Sequence, residues 1–67
     1  MLGLLVSDIE KKEIEYLLKR ELEELIIDIR DRHIDYRVKR VMKERHRILF
    51  RLFRRVANEE ECLKYIL

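Results

Sequence analysis

From Ile14 onward the apolar residues keep a helical beat. Ile14, Leu18, Leu22, Leu25 and Ile29 follow one another at steps of 4, 4, 3 and 4. At ~100° per residue they gather in a narrow arc on one helix face. Leu17 and Ile26 widen that face, and Glu10, Glu13, Glu21, Glu24 and Asp28 line one flank of it. Ser7, with Glu10 three residues later, is a capping-box pair, so the helix is expected to open at Asp8.

A second apolar set follows: Ile34, Val38, Val41, Ile48, Leu52 and Val56, with Leu49 beside it. If one helix ran from 8 to 56, this stripe would lie roughly opposite the first, and a straight rod would carry two opposed half-length stripes. A break within "RDRHID", residues 30–35, removes the mismatch, and Asp31 or Asp35 can cap the new helix. The pattern therefore predicts helices over 8–30 and 35–56. Each is about 33 Å long, and similar lengths with a short connection favour an antiparallel hairpin. Asn58 with Glu61 resembles a second capping box, so a short helix is expected over 59–66. So short a helix is unstable alone in water and has to dock on its neighbours. The expected fold class is all-α: a hairpin of two long helices plus a short C-terminal helix, in a single domain over 1–67.

Composition agrees. Charged residues make up 45% of the chain and hydrophobic ones 48%, with one Gly and no Pro, which suits long helices with charged flanks and not a turn-rich β protein. The chain is 67 residues long. Chains of about this length bury only ~60% of the surface that their unfolded form exposes. Tyr16 and Ile27 also lie off the main stripe, and "MLGLLV" and "YIL" add apolar ends. Exposed apolar surface of this kind marks contacts, and two hairpins pairing as a bundle would cover it, so a homodimer is expected.

Charge changes the picture more than composition does. Residues 1–30 hold eight acids and five bases, net −3. Residues 31–57 hold three acids and ten bases, net +7, and residues 58–67 hold three acids and one base, net −2. Arg40, Lys43, Arg47, Arg51 and Arg54 step by 3, 4, 4 and 3 and form one basic stripe roughly opposite the Ile34–Val56 stripe. A charge run of this kind is most often a solvated helix face. The alternatives are a nucleic-acid or other polyanion surface, and pairing with acids of another subunit. Phe50 points nearer the basic side and marks a candidate interface, whereas Phe53 sits at the edge of the apolar stripe and is expected in the core. A basic amphipathic helix also suits a membrane surface, but its apolar face is needed to cover the first helix.

Arg45 interrupts the apolar stripe between Val41 and Ile48. It is expected either to form a buried pair with Glu21 or Glu24, brought near by the hairpin, or to reach water over its own stem. The opposite reading applies to "RHRILFRLFRR", residues 45–55: a packing helix with Ile48, Leu49, Leu52 and Phe53 turned inward.

Candidate chemistry is sparse. His33 and His46 lack metal-ligand spacing and are expected to be partly exposed. Cys62 has no nucleophile context and is expected to be a partly buried packing residue. A single cysteine forms no intrachain disulfide and suits a reducing, cytoplasmic setting. Gly3 is the only glycine, so there is no phosphate-binding loop. No catalytic residue, cofactor or metal is expected, and "MLGLLV" is too short for a signal peptide or a membrane span. The expected function is a non-enzymatic helical protein–protein interaction or regulatory module, with nucleic-acid binding through Arg40–Arg54 as the alternative.

Overall fold

The computed structural model describes residues 1–67. Three helices account for its regular structure: α1 (Asp8–Arg30), α2 (Tyr36–Val56) and α3 (Glu59–Leu63). The first two pack side by side as an antiparallel hairpin, and α3 folds back against it.

Each boundary has a local cause. At the start of α1, Glu10 N–H donates to Ser7 Oγ and Ser7 N–H to Glu10 Oε1, so both halves of the capping box form. That bond to the backbone holds the Glu10 carboxyl below its ordinary value. The turn between the long helices contains neither Gly nor Pro, and no residue in the chain has positive φ. Two aspartates make it instead: Asp31 Oδ1 accepts from His33 N–H at 2.9 Å, and Asp35 Oδ1 accepts from Arg37 N–H at 2.8 Å. Each gives a backbone donor a partner that the helix does not supply. At α3, Asn58 Oδ1 accepts from Glu61 N–H at 2.9 Å. The reciprocal half of the expected box does not form, because the Glu61 carboxylate reaches Lys19 Nζ at 2.9 Å and Lys64 Nζ at 3.2 Å. Regular helix ends at Leu63, short of the 66 that the pattern suggests.

Leu18, Leu22, Leu25 and Ile29 of α1 are buried, as their spacing implies. The facing side of α2 differs from expectation. Val38, Val41, Ile48 and Leu52 remain 47%, 71%, 58% and 42% exposed. The inward residues are His46 and Phe53, with Met42, Leu49 and Val56 half-buried. These five also follow a heptad spacing of 4, 3, 4 and 3, so α2 is turned from the orientation that the aliphatic residues alone suggest. The rings explain the rotation. Phe53 is fully buried and meets Tyr65 edge-on, with ring centroids 5.4 Å apart and planes at 80°. An aromatic residue gains more by burial than a valine does, and the edge-on pair adds to that. Burial of His46 is tolerated because its polar ring has a partner (see below).

The core is a cluster of Leu18, Leu22, Phe53, Cys62 and Tyr65, flanked by Ile14, Ile26, Leu49, Phe50, Val56 and Ala57. It lies where α1, α2 and the C-terminal segment meet. The molecule measures 40 × 27 × 16 Å. Its thinnest dimension is little more than one helix diameter of about 10–12 Å, so most side chains keep one side in water.

Candidate functional site

A two-helix hairpin has two open sides along its seam, and this chain closes only one. On the closed side, His46 Nε2–H donates to the Tyr65 carbonyl at 2.8 Å, and its ring stacks on Phe50 at 5.7 Å. Tyr65 O–H donates to Glu23 Oε1 at 3.2 Å. Lys19 pairs with Glu61 across the same side. The pairing holds the Glu61 carboxyl below its ordinary value and pushes Lys19 up. Burial, with Glu23 beside it, pushes the Tyr65 hydroxyl above its ordinary value. An open cleft of about 440 Å³ remains beside α3, lined by Phe50, Arg54, Cys62, Leu63 and Ile66 among others.

The open side is built differently. The α2 edge presents Val38, Val41, Ile48 and Leu52, with Arg45 among them. On the neighbouring flank of α1, helical spacing places Leu17, Glu21, Glu24 and Asp28. Arg45 Nη2 meets Glu21 Oε1 at 3.2 Å. The side chains stay 58% and 40% exposed, so the pair is not buried as the sequence suggests; nothing in this chain covers that side. Glu24 is exposed and makes no ion pair. An ion pair this open contributes at most about 1 kcal/mol and chiefly marks which residues of the two helices stand level with one another.

The basic stripe is on the surface: Arg40, Lys43, Arg47, Arg51 and Arg54 are all exposed. Only Arg47 has an acidic partner, Glu44, one turn away at 2.6 Å. Phe50 does not stand out among these charges. It is half-buried, packed on the core and against His46. Ile48 and Leu52 are not turned inward, whereas Leu49 and Phe53 are.

His46, at 5% exposure, corrects the expectation of a partly exposed ring, and Cys62 is fully part of the core. His33 is exposed in the turn. The signal for His46 lies in its place in the Met42–His46–Leu49–Phe53–Val56 heptad row, which is visible only if Met and His are counted as packing residues.

No three or more His, Cys, Asp or Glu side chains gather as a metal-binding group. No helix is long and apolar enough to cross a membrane. The arrangement defines a small helical hairpin with one uncovered apolar side. Compared with protein-family models, curated proteins and solved structures, the chain matches none.

Proposed function

We propose that this chain is a non-enzymatic protein–protein interaction or regulatory module that works as a homodimer in the cytoplasm, and that the open side of the hairpin is its contact surface. The observation that carries the reading is the row Val38, Val41, Ile48 and Leu52, aligned on one side of α2 and left in water. Aligned exposed aliphatics on a short helical chain mark a contact.

The area supports it. A folded chain of this mass is expected to expose about 4,600 Å². This one exposes 6061 Å². The excess of about 1,400 Å² exceeds the ~800 Å² that each partner contributes to a standard interface. Part of it comes from Met1–Val6 and Ile9, which are also exposed.

The test is sedimentation at micromolar concentration. The wild type is expected at about twice 8.4 kDa. Ile48→Glu is expected at the mass of one chain with unchanged helicity, because Ile48 lies outside the core and a charge there is costly only when the row is covered. A monomeric wild type, or a dimer that survives Ile48→Glu, overturns the reading.

A further inference from the structure

We propose that the second copy docks with its α2 parallel to the first and in register, the two helices meeting along Val38, Val41, Arg45, Ile48 and Leu52. The proposal rests on the homodimer reading and adds its geometry.

These five residues step by 3, 4, 3 and 4. That is the alternation of a coiled-coil seam. It is the second such row on α2. The buried one, Met42, His46, Leu49, Phe53 and Val56, faces α1, and the exposed one stands about 80° round the helix from it. A partner helix can therefore lie along the exposed row without disturbing the hairpin.

An apolar row alone accepts any amphipathic helix, and charge selects among partners. Along the open side, α1 contributes Glu21, Glu24 and Asp28, and Glu10 nearer its start. The outer rim of the α2 row carries Arg37, Arg51 and Arg55 and one acid, Glu44, which pairs with Arg47 of its own helix. One edge is thus acidic and the other net basic, its single acid Glu44 being neutralised by Arg47, so a second copy turned about a two-fold axis supplies the matching edge. The Arg45–Glu21 contact fixes the levels of the antiparallel pair: residue 21 stands level with residue 45. Counting along both helices from there, Asp28 stands level with Val38 and its neighbour Arg37, and Glu10 with Val56 and its neighbour Arg55.

A two-fold axis parallel to the helices keeps these levels and brings the acidic edge of each chain to the arginine rim of the other. The second copy's Arg37 then meets Asp28, its Arg45 meets Glu21 and Glu24, and its Arg55 meets Glu10. An axis perpendicular to the helices also pairs the rows, but antiparallel, and it lays acidic α1 on acidic α1. The charges favour the parallel form. Arg45 then acts as the register key. A polar residue at one core position of a parallel seam costs stability but fixes strand number and alignment. Two Arg45 side chains at one level are each supplied with carboxylates from both chains.

The test uses engineered thiols at exposed positions. Val41→Cys and Ile48→Cys each replace a residue outside the core, and native Cys62 is buried, so the wild type serves as the control. Under a glutathione-disulfide buffer, each single variant is expected to form a covalent homodimer on a non-reducing gel while the wild type does not. In a parallel, in-register pair the two copies of each engineered site lie side by side. Cross-links that form only when the two variants are mixed would show an antiparallel pair and overturn the proposal while leaving the homodimer intact. No cross-link in a chain that sediments as a dimer overturns both the geometry and the choice of face. A wild type that sediments as a monomer overturns the reading beneath it.

Discussion

At the scale of single residues, His46 is the most consequential side chain that the aliphatic pattern does not reveal. It sits in the middle of the seam and holds the C-terminal segment by a single bond to the Tyr65 carbonyl. The bond requires the proton on Nε2, because a carbonyl oxygen can only accept. His46→Leu keeps an apolar side chain at the position but leaves a buried carbonyl without a donor, a loss of about 1–3 kcal/mol. For a chain of this length, whose whole stability is about 3–10 kcal/mol, that is a large share. Urea unfolding is expected to show a clearly lower midpoint for His46→Leu, with His33→Leu unchanged because His33 is exposed. Equal midpoints for wild type and His46→Leu would show that the bond contributes nothing. Leu22 was legible because leucines at helical steps leave little choice. His46 was not, because histidine is buried only where a particular partner is supplied, and that partner is 19 residues away.

At the scale of the element, α2 is divided into three lengthwise bands: a buried heptad row, an exposed heptad row, and the arginine stripe. The stripe and the boundaries of the two long helices were legible, since charge runs and capping residues act locally, whereas the end of α3 was not. The rotation of α2 was not, because it depends on Phe53 finding Tyr65 in a distant segment. The arginine stripe touches little: of its members only Arg47 has an ion pair, and that pair lies within α2. Replacing Arg47, Arg51 and Arg54 together with Gln is expected to leave the circular dichroism unchanged and stability within about 1 kcal/mol, since exposed charges are individually worth little. The same proteins separate the nucleic-acid alternative. In moderate salt neither duplex nor single strand is expected to shift on a gel with micromolar wild type. A shift that the triple variant abolishes, and that weakens steeply with added salt, would assign the stripe to nucleic acid.

At the scale of the whole molecule, the closed side depends on ionisation. The folded state holds the Tyr65 hydroxyl above its ordinary value of 10.0, because burial and the neighbouring Glu23 disfavour the phenolate. A group whose value is raised on folding contributes its stability below the unfolded value and loses it as pH rises through the folded one. Docking of the C-terminal segment is therefore expected to be strongest at neutral pH and to weaken as pH rises through the raised value on the alkaline side of 10.0. Spectrophotometric titration should show one tyrosine ionising late, accompanied by loss of the near-ultraviolet signal. The late step should be missing in Tyr65→Phe. A titration identical in the two proteins would show that the hydroxyl gains nothing from its site. The acidic side has its own limit. Glu61 is held below its ordinary value of 4.5 by Lys19 and Lys64, so its contribution is present above that value and fades as pH falls through the lowered one. The hairpin as a whole was legible from the opposed stripes. The closed side was not, because it is built from a histidine, a tyrosine and a main-chain carbonyl whose meeting no local pattern announces.

The turn between α1 and α2 has a consequence of another kind. It is stopped by hydrogen-bonding chemistry alone: two aspartate side chains hold it, and no backbone position there is closed to an ordinary helix. A steric stop, built on proline or on a left-handed glycine, forbids the straight path. A chemical stop only outcompetes it. Straightening through residues 31–35 would cost these cap bonds and the contacts of the seam, but it would meet no steric block. Removing the Asp31 and Asp35 side chains would therefore take away the side-chain bonds that shape the turn, with no steric barrier standing behind them.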